Sequence, residues 1–417
     1  MNQRECVTLP NGLQIWLDPQ PDRYTAAFGV WVSSGSCMET PEQNGVSHFL
    51  EHMFFKGSQT RTAAQLAAEM DGLGGQLNAF TAKEYTCFYA RTLAEHVADG
   101  FALLADMLRY PAMQPELLET ERGVVLEEIS AAADDPEDAV GERLEQAIWA
   151  QSPYGRPILG TRETVEALTV ELLNAHRARM FVPNRMAVSI SGAFDRDAFL
   201  AQVTDAFGDL TPGVGRAKPD PIPYTRADIA EKRRLEQTHL CLALPAVPAQ
   251  DPRRWALTML SSVLGGASSS RLFQRIREEL GLAYAIDSDV SLYDGGGALY
   301  IQAAVSPHQM ARAAAEIGAV LRALRTGVTA AEFDRAREGL RASLRMSMES
   351  SMSRAAYAGR TALTGSVRTD DEILDQVAHV TRDDVNALAA ELLDLDRLSV
   401  SVCGNAPHDW CKSFANR

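Results

Sequence analysis

Nowhere in this sequence do enough apolar residues follow one another to make a membrane-spanning helix, which needs a run of about 18 or more. The first residues, Met1-Asn2-Gln3-Arg4-Glu5-Cys6, lack the apolar stretch of a secretion signal, so export by that route is not expected. Cysteine is sparse. The six residues Cys6, Cys37, Cys87, Cys241, Cys403 and Cys411 form no C-x-x-C pair, which argues against a disulfide framework and against a thiolate zinc site. Basic charge is in short supply too: Lys and Arg number 40 against 55 Asp and Glu, for a formal net charge of −15. Phosphate recognition needs clustered Lys and Arg, so nucleic acid is excluded as the main partner. The expectation is a cytoplasmic protein whose partner is neither nucleic acid nor membrane. The acidic surplus matches basic or extended peptides, although it also serves simply to keep a protein in solution.

What the sequence does have is His48-Phe49-Leu50-Glu51-His52. The pattern is H-x-x-E-H, the inverted zincin motif. On a helix, residues four apart share a face, so His48 and His52 can offer imidazoles to one Zn²⁺ while Glu51 stands beside the metal without ligating it. A carboxylate there can take a proton from metal-bound water, whose pKa the ion lowers to roughly 7, and so arm it against a peptide carbonyl. The other histidines, His96, His176, His239, His308, His379 and His408, fall in no such cluster and read as structural or surface residues.

Catalytic zinc takes three protein ligands and keeps a position open. Residues 121–129, Glu-Arg-Gly-Val-Val-Leu-Glu-Glu-Ile, place Glu121 and Glu128 two helical turns apart on one face. Glu128 could ligate while Glu121 steadies a histidine from behind, as carboxylates commonly do at zinc sites. The spacing equally allows all three glutamates, Glu127 included, to form a solvated face.

At 417 residues the chain exceeds the roughly 250–300 at which one hydrophobic core stops growing, so more than one domain is expected. The clearest boundary is the run 211–223, where four prolines and two glycines break every periodic pattern. It divides the chain into a metal-binding domain over 1–212, a linker over 213–227 and a second domain over 228–417. Both halves carry β-rich runs (13–17, 26–32, 238–244) and a strand-then-helix unit (86–92 before 93–108; 298–305 before 310–324). Without a strict βαβ cadence, this predicts an α+β fold in which helices cover a mostly antiparallel sheet.

These features together resemble the pitrilysin-type (inverzincin) metallopeptidases of the half-length class, a group that includes the catalytic subunit of mitochondrial processing peptidase and short bacterial peptidases. The resemblance runs from Thr8-Leu9-Pro10-Asn11-Gly12-Leu13 through the metal motif to Leu77-Asn78-Ala79-Phe80-Thr81, Glu84-Tyr85-Thr86 and Ser270-Arg271-Leu272-Phe273. In that family the ligand glutamate lies about 76 residues after the second histidine, with another glutamate seven before it. Counting from His52 gives Glu128 and Glu121, which selects Glu128 over Glu127. The resemblance further implies two related domains facing each other across a cavity, one zinc ion per chain, and pairing of chains as a homodimer. Leu77-Asn78-Ala79-Phe80 would be an edge strand on which substrate adds as a β-strand, with Asn78, Ala79 and Phe80 as substrate-binding residues.

Arg277 and Tyr284, in the run 277–284, have the Arg-x6-Tyr spacing with which the family grips substrate from the domain that lacks the metal. An arginine fork and a phenol can hydrogen-bond a substrate carbonyl and the oxyanion that forms from it. Left to themselves the two residues read as a surface arginine and a strand tyrosine. Because the zinc motif and this pair occur in one chain, a self-sufficient zinc endopeptidase acting on peptides or unstructured protein segments is expected. A presequence-type processing peptidase and a non-catalytic structural subunit of the same fold are the alternatives.

Overall fold

The computed structural model describes residues 4–218 and 220–405, and the β-branched and aromatic runs of the sequence become strands in it. His408 and Cys411 lie outside the described residues. Two α+β units result, one made of residues 4–129, 156–218 and 345–370, the other of 130–155, 220–344 and 371–405. The division is interleaved rather than a single cut within 213–227, because each half of the chain lends a segment to the unit built mainly by the other.

The first unit holds β1 (Glu5–Thr8), β2 (Gln14–Pro19), β3 (Thr25–Val32), β4 (Gln76–Thr81), β5 (Thr86–Leu93) and β6 (Met186–Gly192). They form one sheet in the order β1-β2-β6-β3-β5-β4, antiparallel throughout except for the β2–β6 pair. In the second unit β7 (Asp228–Glu231), β8 (Thr238–Ala246), β9 (Ala283–Tyr293), β10 (Gly296–Val305) and β11 (Ser399–Cys403) lie in the order β7-β11-β8-β10-β9, with β7–β11 as the parallel pair. Numbered within each unit from β2 and from β7, the two orders are identical: first, last, second, fourth, third. The duplication suggested by the sequence is therefore present in the topology, and the expected mostly antiparallel sheets are found.

Each sheet buries one face under a thick helical layer. In the first unit Phe28, Val30, Phe88 and Ile190 pack against Phe49, Met53, Phe101 and Phe199 from the helices Val46–Phe54, Val97–Arg109 and Arg196–Phe207. In the second, Leu240, Leu242, Leu299 and Ile301 meet Leu257, Leu260, Ile317 and Leu321 from the helices Arg254–Leu264 and Met310–Arg325. Fully burying such side chains contributes about 1.5–3 kcal/mol apiece.

The opposite faces are covered by the lent segments. Helix Ser351–Ala362, from the second half of the sequence, lies on β2, β3 and β6. A Cβ on its Gly359 would sit 2.0 Å from the Trp31 ring, so only glycine lets helix and sheet approach this closely. Trp31 donates its indole N–H to Ser189 Oγ (3.0 Å), and Ser189 passes the chain on to the Ala355 carbonyl (2.8 Å). Arg354 clamps the helix with a two-pronged bond to the buried Asp18 of β2 (2.6 and 2.9 Å), which also accepts from Ser191. Burial pushes the Asp18 carboxyl upward, but Arg354 and Ser191 outweigh it and hold the group below its ordinary value. In the second unit the helix Pro136–Ile148, from the first half, plays the matching part on β8 and β11.

Candidate metal centre

His48, Glu51 and His52 all lie on the helix Val46–Phe54, whose apolar positions Phe49, Leu50, Met53 and Phe54 are fully buried and fix its rotation. The helix starts at Gly45, which has φ +93°, and a Cβ there would fall 2.7 Å from the Leu159 carbonyl. Glycine cannot cap with a side chain, and the missing cap arrives from outside. The buried Glu39 accepts from the amides of Gly45 (2.7 Å) and Ser47 (2.8 Å) and from the Asn44 side chain (2.8 Å). These bonds satisfy amides that a helix start leaves orphaned and place negative charge where the helix dipole favours it.

The turn below is tied by a second group. His176, buried and bonded through Nε2 to Ser34 (3.0 Å) and Ser47 (3.2 Å), is held far below its usual pKa, to about 3, first by burial and then by Arg179 and Arg185. It is a neutral structural histidine, as the sequence suggested. His308 and His379 are exposed, and His96 and His239 half-buried.

The imidazoles of His48 and His52 stand 4.5 Å apart between ring centres. Their Nε2 atoms lie 3.7 and 3.5 Å from one oxygen of Glu128, which comes from the neighbouring helix Pro115–Asp134. One donor atom from each residue falls within 4.8 Å of the other two, and among the described residues this is the single group of three or more His, Cys, Asp or Glu placed to hold a metal ion. Three donors about 2.0–2.2 Å from a tetrahedral zinc would be separated by roughly 3.4 Å, close to the spacing found. The mixture of two imidazoles and a carboxylate is also a donor set that zinc accepts. His48 is kept neutral by burial, with His52 adding to the effect, and its pKa is pushed down to about 3.

Behind this trio, Glu121 is buried at 2% exposure and takes the Nδ1 side of His52 at 2.7 Å. That bond turns the Nε2 lone pair of His52 towards Glu128 and the candidate metal position. Lys56 balances the second oxygen of Glu121 at 2.5 Å. Glu127, next to Glu128 in sequence, is exposed and outside the cluster. The helix therefore separates two glutamates that spacing alone left equivalent.

Glu51 is buried, and burial raises its carboxyl pKa above the ordinary range, with Thr81 and His52 opposing and Glu128 adding to the rise. Thr81 donates its hydroxyl to Glu51 Oε2 at 2.6 Å. Neither this partner of Glu51 nor the Glu39 cap was visible in the sequence, because both contacts cross from one element to another. The only trace was that Thr81 ends the run Leu77-Asn78-Ala79-Phe80-Thr81.

Asn78, Ala79 and Phe80 sit in β4, which pairs with β5 on one side and is an edge of its sheet. The Ala79 amide is held by Asn78 Oδ1 (2.8 Å). Phe80 is 40% exposed and stacks edge-on with Trp31, Tyr85 and Tyr89. A cavity of about 620 Å³ opens beside the strand, lined among others by Phe55, Leu66, Met70, Leu77, Asn78 and Tyr89.

In the second unit Arg277 and Tyr284 do come together. Residues Phe273–Glu279 form a π-helix, and the guanidinium of Arg277 lies 4.6 Å from the Phe273 ring and 4.8 Å from the Tyr284 ring. The wider turn carries Arg277, a rarity often found at functional sites. Tyr284 is 79% exposed at the start of the edge strand β9.

Comparison with known proteins agrees with this geometry. The family model described as Insulinase (Peptidase family M16) matches residues 15–162, and that described as Peptidase M16 inactive domain matches 167–340. The chain is 38% identical over 407 residues to an uncharacterized zinc protease of Bacillus subtilis, covering 96% of this chain and 98% of that one. An uncharacterized zinc protease of Mycobacterium leprae is 40% identical over 405 residues, covering 95% and 91%. Among solved structures, a peptidase M16 inactive domain from Pseudomonas fluorescens superimposes with a TM-score of 0.91 over 97% of this chain and 98% of that chain, at 18% identity. That last likeness speaks for the fold alone.

Proposed function

The chain belongs to peptidase family M16, and from that premise we propose that it is a zinc-dependent endopeptidase hydrolysing peptides or unstructured protein segments. The observation that carries the reading is the convergence of His48, His52 and Glu128 on one position with the buried carboxylate of Glu51 beside them. The names of the relatives, zinc proteases, support the metal and the reaction class.

A zinc ion held by His48, His52 and Glu128 would polarise the scissile carbonyl and lower the pKa of the attacking water to roughly 7. Glu51 takes the proton from that water and later returns it to the leaving amine nitrogen. Glu121 fixes the tautomer and orientation of His52. On this reading the free edge of β4 receives substrate as an added strand at Asn78, Ala79 and Phe80, through main-chain bonds that tolerate many side chains. Arg277 and Tyr284 bind the substrate backbone and the developing oxyanion. Chains pair as homodimers in the cytoplasm, a reading that sedimentation and fractionation test directly; among the described residues no helix is long and apolar enough to cross a membrane.

The test of the function is bulk metal analysis of the purified protein together with cleavage of quenched fluorescent peptides. About one zinc per chain and cleavage abolished by a chelator and restored by zinc are expected. Cleavage indifferent to chelation contradicts the proposal.

A further inference from the structure

We propose that Thr81 is a positioning residue for the general base, its hydroxyl fixing the carboxylate of Glu51 from the end of the substrate strand. The inference rests on the endopeptidase reading above, in which Glu51 is the base.

The geometry is specific. Thr81 Oγ1 lies 2.6 Å from Glu51 Oε2 and 3.3 Å from Thr86 Oγ1, its cross-strand neighbour. Thr86, fully buried, lies 2.7 Å from the Ser34 carbonyl, which can only accept. Each hydroxyl has one proton to give. Thr86 spends its proton on Ser34 and so can only accept from Thr81, whose single proton goes to the nearer and stronger acceptor, the Glu51 carboxylate at 2.6 Å against 3.3 Å. A carboxylate bound at 2.6 Å by a hydroxyl makes a charge-assisted bond, among the stronger that side chains form.

The hydroxyl is held still. Thr81 and Thr86 close the β4–β5 hairpin, whose turn is sealed by the Ala82 amide bonding the Tyr85 carbonyl (2.8 Å). The turn is pinned in its place by the Cys37 amide on the Lys83 carbonyl (3.0 Å) and by Lys83 Nζ on the Arg156 carbonyl (2.7 Å). Leu77 and Ala79, which share a face of β4 with Thr81, pack on the core that also holds Phe49 and Met53. The strand that would accept substrate is thus the strand that aims the base. A misplacement of about 1 Å at a reacting group costs on the order of 10²-fold in rate, so the bond matters to turnover rather than to folding.

The experiment compares Thr81→Val, which keeps the shape and removes the hydroxyl, with Thr81→Ser, which keeps the hydroxyl. For Thr81→Val we expect kcat to fall about 10- to 100-fold with KM within about twofold of the parent, zinc content unchanged and thermal midpoint little altered. Thr81→Ser should recover most of the lost kcat. A crystal structure of Thr81→Val without peptide should show the Glu51 carboxylate turned from its parental position, a readout independent of turnover. Parental kcat in Thr81→Val, a rise confined to KM, or equal impairment of Val and Ser variants overturns the proposal. If the parent itself shows no chelator-sensitive cleavage, the endopeptidase reading fails separately; an unmoved Glu51 carboxylate in the Thr81→Val structure then overturns the positioning role as well.

Discussion

The two units use one strand order and opposite chemistry. After its second strand of the shared order, the first unit runs into the helix Val46–Phe54 and the second into Arg254–Leu264. Both helices bury an apolar face against their sheet, but the first also turns His48, Glu51 and His52 towards Glu128, whereas the second carries Arg-Trp-Ala-Leu-Thr-Met-Leu-Ser-Ser-Val-Leu, with no metal-ligating residue. The edge strands differ in the same way. β4 ends in Thr81, bonded to Glu51, while β9 carries near its start the outward Tyr284 beside Arg277. The shared scaffold is neutral as to function, and the site is a handful of polar residues added to it.

The comparison can be broken at the glutamates first. Glu128→Gln should lose most of its zinc on dialysis, Glu127→Gln should retain it like the parent, and Glu121→Gln should lose affinity by about 10- to 100-fold, the range for a residue that orients a ligand. Metal content per chain decides; equal retention in the Glu128 and Glu127 variants would place the third ligand elsewhere.

Next in size is the clamp on the first unit's outer helix. Asp18→Asn takes from the half-buried Arg354 one of its two carboxylate partners, leaving Asp370, and should cost about 1.5–3 kcal/mol, measured by denaturant unfolding at neutral pH. Since the folded pKa of Asp18 is lowered, its contribution is complete above the unfolded value of about 3.9 and is lost as pH falls through the lower folded value. The parent should therefore lose stability below about pH 4 more steeply than Asp18→Asn does. Parallel acid limbs would remove Asp18 from the account.

The second unit is tested through Arg277→Ala and Tyr284→Phe. Each should keep zinc and fold while lowering kcat/KM by roughly 10²-fold, the scale of losing an oxyanion donor. Parental rates in both would return the pair to a surface cation–π contact.

The smallest effects come from one glycine in each of the two lent helices. Gly359→Ala drives a methyl into Trp31 and should destabilise by about 1–3 kcal/mol. Gly141→Ala, at the matching helix of the second unit, meets only Gln302 Nε2 at 3.6 Å and should be neutral or stabilising by up to about 1 kcal/mol. Equal effects on unfolding would mean that the two helices seat alike.

Legibility in the sequence followed the range of each interaction. His48, Glu51 and His52 could be read directly because a helix fixes their relation within five residues. Glu128 needed the resemblance, since the joining of two helices is tertiary and left Glu127 as good a candidate. The strands 25–32, 86–93 and 238–246 and the helix 310–325 were plain from periodicity, within a few residues at their ends. Gly359, Glu39 and Thr81 were not, because a close approach, a remote cap and a hydroxyl aimed across a hairpin have no local pattern. The interleaving of the halves was hidden for the same reason: a helix is equally amphipathic whichever sheet it covers.

The central claim is that Glu51, held in a pre-formed metal centre, is the base of a zinc peptidase. Glu51→Gln tests it most directly, because the amide preserves size and spares both imidazoles while removing the proton acceptor. Zinc content and peptide cleavage measured on the same preparation should show parental zinc with turnover abolished. Near-parental turnover by the zinc-loaded variant would contradict the claim.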